Sequence, residues 1–484
     1  MSPTLLLAII TGYFLMLMII SRITSRRIGT ETFFDGDRTS PWFLIAFGMI
    51  GSGISAVSLV SIPGNVGNDN LFYFQFILGS LAGYLFIAMV LTPVFHRLKV
   101  VSIYSWLNLR FGQVSYRTGS AIFMVSQSFG AALRLLLSVK ILQDAFFGPM
   151  GFPPAATIAL VLVLIWLYTN KAGVKTIVWT DALQSFFLVS VILVTIFTIK
   201  DALGLDLKGL AETIQSSPKA ELFNWDIRSG SHFLKQFISG FLITVALVGL
   251  DQSMMQKTLT IADAQAAKKN VLTFSLFIAL AQTLFLALGV LLYRYAEVMH
   301  IPLQTTGGVI RDTDKLLPML TLHHFGQIGA IAFFIGVVAS TFATIDSCIA
   351  ALTTSFSYDF LGFGERDESD QKKIKNKVLL GVNLVIFLIV LAFWNSGGAV
   401  INTIFLLAGF TYGPLLGLYL TGLFTDHRPS EKLVPVVCGL SVVLTWCISY
   451  FSEKLFFFDM GFLNILVNAL LTAGLLRIIQ RPHA

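Results

Sequence analysis

Apolar stretches, each close to the length of a membrane-crossing helix, follow one another along nearly all of this 484-residue chain. They run approximately over 4–21, 42–67, 70–95, 119–145, 154–170, 175–199, 233–253, 271–297, 327–357, 378–395, 399–424, 433–451 and 456–476. Crossing roughly 30 Å of hydrocarbon takes a helix of about 20 residues, so these read as thirteen spans. A barrel would show shorter segments of strict alternation, and open strands cannot satisfy their backbone in lipid. The expected fold class is therefore an all-α polytopic membrane protein. A composition of 55% hydrophobic and 12% charged residues excludes an ordinary soluble domain.

Most of the 33 Lys and Arg fall in alternate connections, among them "SRITSRR", "HRLKVVSIYSWLNLRFGQVSYR", "NKAGVK", "QKTLTIADAQAAKKN" and "ERDESDQKKIKNK". Positive residues are retained in short cytoplasmic loops, which predicts N-out, C-in. The net charge of +7 is then inner-leaflet anchoring and requires no nucleic acid. The first span has its basic cluster behind it, the pattern of a retained anchor. Two longer loops, roughly 200–232 and 298–326, have room for short surface helices, and no soluble domain or obligatory protein partner is suggested. The three cysteines lie in spans and form no disulfide or zinc pattern, and the scattered histidines make no HExxH motif.

Polar residues inside the spans carry the functional signal, because each costs roughly 2.5–3.5 kcal/mol near a helix centre if charged. Arg134 lies near mid-span and Asp181 several residues in; both could form a buried structural ion pair, with each other or with Asp346. Asp251 reads as a helix-end residue at the inner interface. In "ASTFATIDSC" the hydroxyls of Ser340, Thr344 and Ser347 recur at helical spacing, with Thr341 and Cys348 beside them. A single such hydroxyl usually bonds its own backbone, but a stripe at mid-depth suits a hard cation. The second span, "GMIGSGISAVSLVSIPGNVG", is too rich in glycine and serine to stay a regular helix, so carbonyls around Gly51 to Ile54 become available at the same depth.

The stretches "GSGISAVSLVSIPGNVG", "GVKTIVWTDALQ", "GLDQSMMQKTLTIADAQAAKK" and "ASTFATIDSCIAALTTSFSYDF" resemble the sodium/solute symporter family, and the resemblance covers nearly the whole chain. It implies a leucine-transporter-type fold in a single transporter domain over 1–484. That domain comprises an extra N-terminal helix at 4–21, two inverted five-helix repeats at 42–199 and 233–424, and two trailing helices at 433–476. It implies sodium as the coupled ion, held by the carbonyls of Gly51, Ile54 and Val337 and the hydroxyls of Ser340 and Thr341. A second sodium, or an exit route, is implied at Asp181, Ser340 and Thr344, although Ala343 lacks an oxygen that some members use there. The substrate would face Ser55, Ser58 and Gln75, with Arg134 as a candidate carboxylate clamp.

The expected function is sodium-coupled symport of a small polar organic solute, such as a carboxylate or other anion, across the cell membrane. A proton-coupled carrier using Asp181 or Asp346 is the open alternative. An enzyme is not expected, since no base or metal accompanies the span serines, and a channel would need a continuous polar pore.

Overall fold

The computed structural model describes residues 3–24, 41–98, 100–169, 174–395, 400–456 and 458–479. The expected basic connections at 25–27, 170–173 and the tail beyond 479 lie outside the described residues. Helix α1 (Pro3–Thr24) is followed by α2 (Trp42–Gly53) and α3 (Ala56–Asp69), then α4 (Tyr73–Phe86), which continues through a π-helical turn to Leu98. A short α5 (Ser105–Phe111) leads into α6 (Gln113–Leu142), α7 (Pro154–Thr169) and α8 (Val174–Ala202). The first long loop carries α9 (Leu207–Gln215). Next come α10 (Phe233–Thr244), extended by a π-helical turn to Gly249, α11 (Gln252–Leu259) and α12 (Ala264–Val298). The second long loop holds a two-residue β-hairpin, β1 (Thr305–Thr306) and β2 (Val309–Ile310), and α13 (Leu316–His323). The chain then runs through α14 (Gly326–Ser355), α15 (Glu368–Ala392), α16 (Val400–Phe424), α17 (Val434–Phe456) and α18 (Asn464–Ile478).

Nine helices among the described residues are long and apolar enough to cross a membrane singly, and two further pairs do so as bent units. The thirteen expected spans are reached only by counting both bent pairs and two shorter apolar helices, Thr11–Ile23 and Pro154–Leu167. The bent pairs are the feature that places the site. Helices α2 and α3 meet at 60°, and the helix ending at Gly249 meets α11 at 62°.

The first break follows from its sequence. Ile54 leaves the helix with φ −106° and ψ 99°, Ser55 stays extended, and Leu59 N–H to Ser55 O opens the next helix. Ile54 N–H still reaches the Ile50 carbonyl at 2.8 Å, but the carbonyls from Gly51 to Ile54 have no following helical N–H to receive. The second break uses Asp251 in extended conformation as the N-cap of α11, its side chain accepting from Ser253 N–H at 2.8 Å. That cap satisfies an orphan donor that would be costly inside a membrane protein.

Without a water-driven force between spans, close packing of small residues holds such helices together. Gly51 shows why. A Cβ there would come within 2.9 Å of Ser185 Oγ and 3.1 Å of the Asp181 carbonyl. With no side chain in the way, Gly51 N–H donates to Ser185 Oγ at 2.7 Å and fixes α2 on α8. Glycines do the same where α4 crosses α10, since Cβ atoms at Gly79 and Gly240 would overlap the Phe237 and Phe76 carbonyls. Helix α14, the most enclosed span, packs on α8, α6 and α2.

Candidate functional site

Both helix breaks open onto one central cavity. Its wall includes Ser52, Ser55 and Ser58 from the first broken helix, Asp251 and Ser253 from the second, and Thr344, Ser347 and Cys348 from α14. Arg134 and Gln127 enter from α6. Tyr73, Phe76 and Phe405 also line the cavity, and they form a stack toward the face that carries the two long loops. Tyr73 and Phe76 centroids lie 5.1 Å apart, Phe76 and Phe405 4.9 Å, and Phe405 meets Phe462 edge-on at 5.4 Å. Tyr73 and Phe462 line a vestibule beyond this stack with Asn65, Asp69 and Asn402. Asn65 donates to Asn402 across it at 3.2 Å.

The cavity's charged groups have distinct environments. Asp251 is buried and accepts from Tyr412 at 2.7 Å, from Ser253 through both N–H and hydroxyl, and from Gln127 at 3.4 Å. The inner-interface position expected for Asp251 is therefore corrected: it caps a helix in the cavity wall, where its oxygens are spent on local donors. Arg134 pairs with neither Asp181 nor Asp346. None of the ion pairs among the described residues includes it, and its nearest recorded polar contact is Cys348 Sγ, 3.9 Å from Nη1.

The α14 hydroxyls first bond their own helix. Ser340 and Thr341 both donate to the Val337 carbonyl, at 3.1 and 2.5 Å; Thr344 donates to Ser340 O and Ser347 to Ala343 O, at 2.8 and 2.9 Å. A hydroxyl that donates backward still presents two lone pairs, so Ser340 and Thr341 keep their capacity for a cation. The Val337 carbonyl already accepts two donors, which makes it the weakest of the expected ligands. The carbonyls of Gly51 and Ile54 lie at the end of α2, which packs against α14.

Asp181 is not free to hold a solute ion alone. Lys257 Nζ lies 2.5 Å from its Oδ2, and also donates to Ser52 Oγ at 2.6 Å and Ser347 Oγ at 2.8 Å. Gln184, with its amide nitrogen toward Asp181, donates to Oδ1 at 3.2 Å and accepts from the Tyr13 hydroxyl at 3.2 Å. Lys257 was expected in a basic connection, yet it sits on α11, buried in the interior, because Asp181 neutralises it. Asp346 is fully buried nearby, linked to the cluster by Ser347 Oγ at 3.1 Å, with no hydrogen-bond partner at Oδ2 among the described residues.

Of the expected solute-facing residues, Ser55, Ser58 and Arg134 line the cavity. Gln75 does not. It sits in the first turn of α4, near the long loops, where Nε2 donates to Phe72 O and Ser231 O and Oε1 accepts from Asn224 N–H, all at 3.0 Å. Its role is to anchor the loop before α10. The residues that sequence reasoning missed are Gln127, Tyr412 and Lys257. The first two had no signal beyond being polar within a span, while Lys257 stood one turn beyond an Asp-Gln-Ser capping sequence at the start of a polar, basic stretch.

Comparison with known proteins agrees with this architecture. The sodium/sialic acid symporter of Proteus mirabilis is 22% identical over 97% of this chain and 94% of its own length. The human sodium/iodide cotransporter is 24% identical over 86% of this chain and 64% of its own. A solved substrate-bound, outward-open structure of a Na+-coupled sialic acid symporter superposes with a TM-score of 0.81 at 19% identity, covering 98% of this chain and 97% of that one. The broken helices thus belong to a leucine-transporter-type fold. The sodium:solute symporter family model matches residues 33–430. This chain belongs to the sodium:solute symporter family and is a multi-pass, sodium-coupled solute carrier.

Proposed function

We propose that the chain imports a small organic carboxylate with sodium by alternating access, with Arg134 holding the carboxylate. The observation that carries this reading is a guanidinium in the wall of the central cavity that no carboxylate among the described residues pairs. A planar fork of donors matches a carboxylate in two parallel hydrogen bonds, which a spherical anion cannot use. The named solutes of the two relatives, sialic acid and iodide, are both anionic, and the fork favours the first kind. Ser55 and Ser58 supply hydroxyls for the rest of a polar solute.

In this reading sodium binds between the end of α2 and α14, through the carbonyls of Gly51 and Ile54 and the hydroxyls of Ser340 and Thr341, with Val337 as a lesser contributor. The long-loop face is outside, giving N-out, C-in, and 42–199 and 233–424 act as inverted repeats that rock about the cavity. What supports the repeats is the recurrence of a break of about the same angle in the first helix of each. Sodium bound at the α2 break favours the state that receives solute; closure of the aromatic stack then commits both to the other side. Moving one charge through 100 mV supplies about 2.3 kcal/mol. One sodium carrying a monoanionic carboxylate moves no net charge, however, so the membrane potential drops out and a tenfold sodium gradient, about 1.4 kcal/mol, sustains a solute gradient on the order of tenfold.

The test is uptake of a panel of labelled carboxylates and their neutral amides into proteoliposomes with an inward sodium gradient. Sodium-driven accumulation of one carboxylate and exclusion of its amide supports the reading. Accumulation driven by a proton gradient at zero sodium gradient would replace it.

A further inference from the structure

We propose that Lys257 is a tethered cation that permanently fills the Asp181 cluster, so that the cluster binds no sodium while the lysine is in place. This deepens the sodium-coupling reading above, and rests on it for the first ion site only.

The ammonium makes three short contacts with oxygens from three helices: Asp181 Oδ2 on α8 at 2.5 Å, Ser52 Oγ on α2 at 2.6 Å and Ser347 Oγ on α14 at 2.8 Å. An ammonium has three N–H donors and no acceptor, so all of its capacity is used. A carboxylate and two hydroxyls are also the kind of hard oxygen set that otherwise collects a small cation. The expected alternative, a sodium on Asp181, Ser340 and Thr344, has less to offer. Ala343 brings no oxygen, and an ion at Asp181 would face the ammonium at close range in the interior.

The connectivity gives the lysine a coupling role. It is carried on α11, the half-helix after the second break, and it grips Ser52, two residues before Ile54 at the first break. Ser52 and Ser347 both belong to the wall of the central cavity. One fixed positive charge therefore joins the two broken helices and α14 beneath the place where solute and sodium are proposed to bind. Asp346 is the other charge at this cluster, reached through Ser347, and its unpartnered oxygen leaves one negative charge in excess if both carboxylates are ionised.

The test counts sodium ions bound per purified full-length protein, by equilibrium binding of radioactive sodium, in the wild type and in Lys257→Gln. Removing the ammonium leaves Asp181, Ser52 and Ser347 as an open oxygen set. The expected result is one sodium for the wild type and two for Lys257→Gln, with the count returning to one when Asp181→Asn is added. An unchanged count in folded Lys257→Gln overturns the proposal. A wild-type count of two, with Lys257 intact, overturns it even if the variant fails to fold. A wild-type count of zero would instead refute the site at Ser340 and Thr341, and the increment on removing Lys257 would still decide the role of the lysine.

Discussion

Lys257 Nζ and Asp181 Oδ2 lie 2.5 Å apart across 76 residues of sequence, with the two side chains 4% and 0% exposed. A buried pair of this kind need not stabilise the protein relative to apolar residues, but losing one partner strands a charge, typically at a cost of about 3–5 kcal/mol. Lys257→Met and Asp181→Asn are each expected to lower the thermal unfolding temperature strongly. The double variant is expected to recover most of the loss. Additive destabilisation in this cycle would show that the two groups do not stabilise each other.

Sodium affinity should depend on Thr341 and Ser340. A hydrogen bond or ligand contact to a charged group is worth about 1.5–3 kcal/mol, on the order of 10- to 100-fold in affinity. Thr341→Ala is expected to raise the sodium concentration for half-maximal binding by that order, whereas Thr341→Ser, which retains the oxygen, should stay near the wild type. Equal sodium titrations for all three proteins would remove Thr341 from the site.

Arg134→Lys keeps the charge and removes the fork. Solute carboxylate binding should weaken by about tenfold or more, with sodium binding in the absence of solute unchanged. The comparison is read from solute-dependent thermal shifts at saturating sodium. A larger effect on sodium than on the carboxylate would place Arg134 in the ion site instead.

Asp314 gives the molecule a pH dependence outside the membrane-spanning segments. It sits in the short helical turn Thr313–Lys315 of the second long loop, where burial pushes its carboxyl up to about 6 although the Val400 N–H donates to it at 2.9 Å. A carboxyl raised above its unfolded value near 3.8 binds its proton more tightly when folded. Its stabilising contribution is full below that value and is lost as pH rises through about 6. Removing the buried charge should therefore stabilise the folded loop between pH 7 and pH 5, although the Val400 N–H itself favours the ionised carboxylate. Protection against hydrogen exchange at 309–316, taken relative to the intrinsic exchange rate at each pH, should rise from pH 7 to pH 5 in the wild type and lose this dependence in Asp314→Asn.

How much of this was legible from sequence depends on whether the signal was local. The first break was readable because glycines and serines crowd residues 48–58, and a helix of that composition has little to hold it straight. The second was not, since "LVGLDQSMM" carries one glycine and no proline; only the capping potential of Asp251 marks it. The hydroxyl stripe of α14 showed itself by its period. The partner of Asp181 could not, because Lys257 stands among the basic residues of a connection and looks like one of them until α11 folds inward. Gln75 illustrates the reverse case: the family resemblance implied that it faces the cavity, but its position one turn from the long loops ties it to Ser231 and Asn224.

The most direct test of sodium-coupled carboxylate binding is the unfolding temperature of the purified protein in sodium chloride against potassium chloride at equal ionic strength, with and without a panel of carboxylates. A ligand that binds only the folded state raises stability by mass action, by about 2.7 kcal/mol at a hundred times its dissociation constant. The account predicts a sodium-specific rise that one carboxylate enlarges and that Thr341→Ala diminishes. Identical unfolding in the two salts, with a carboxylate shift that follows pH instead, would contradict it.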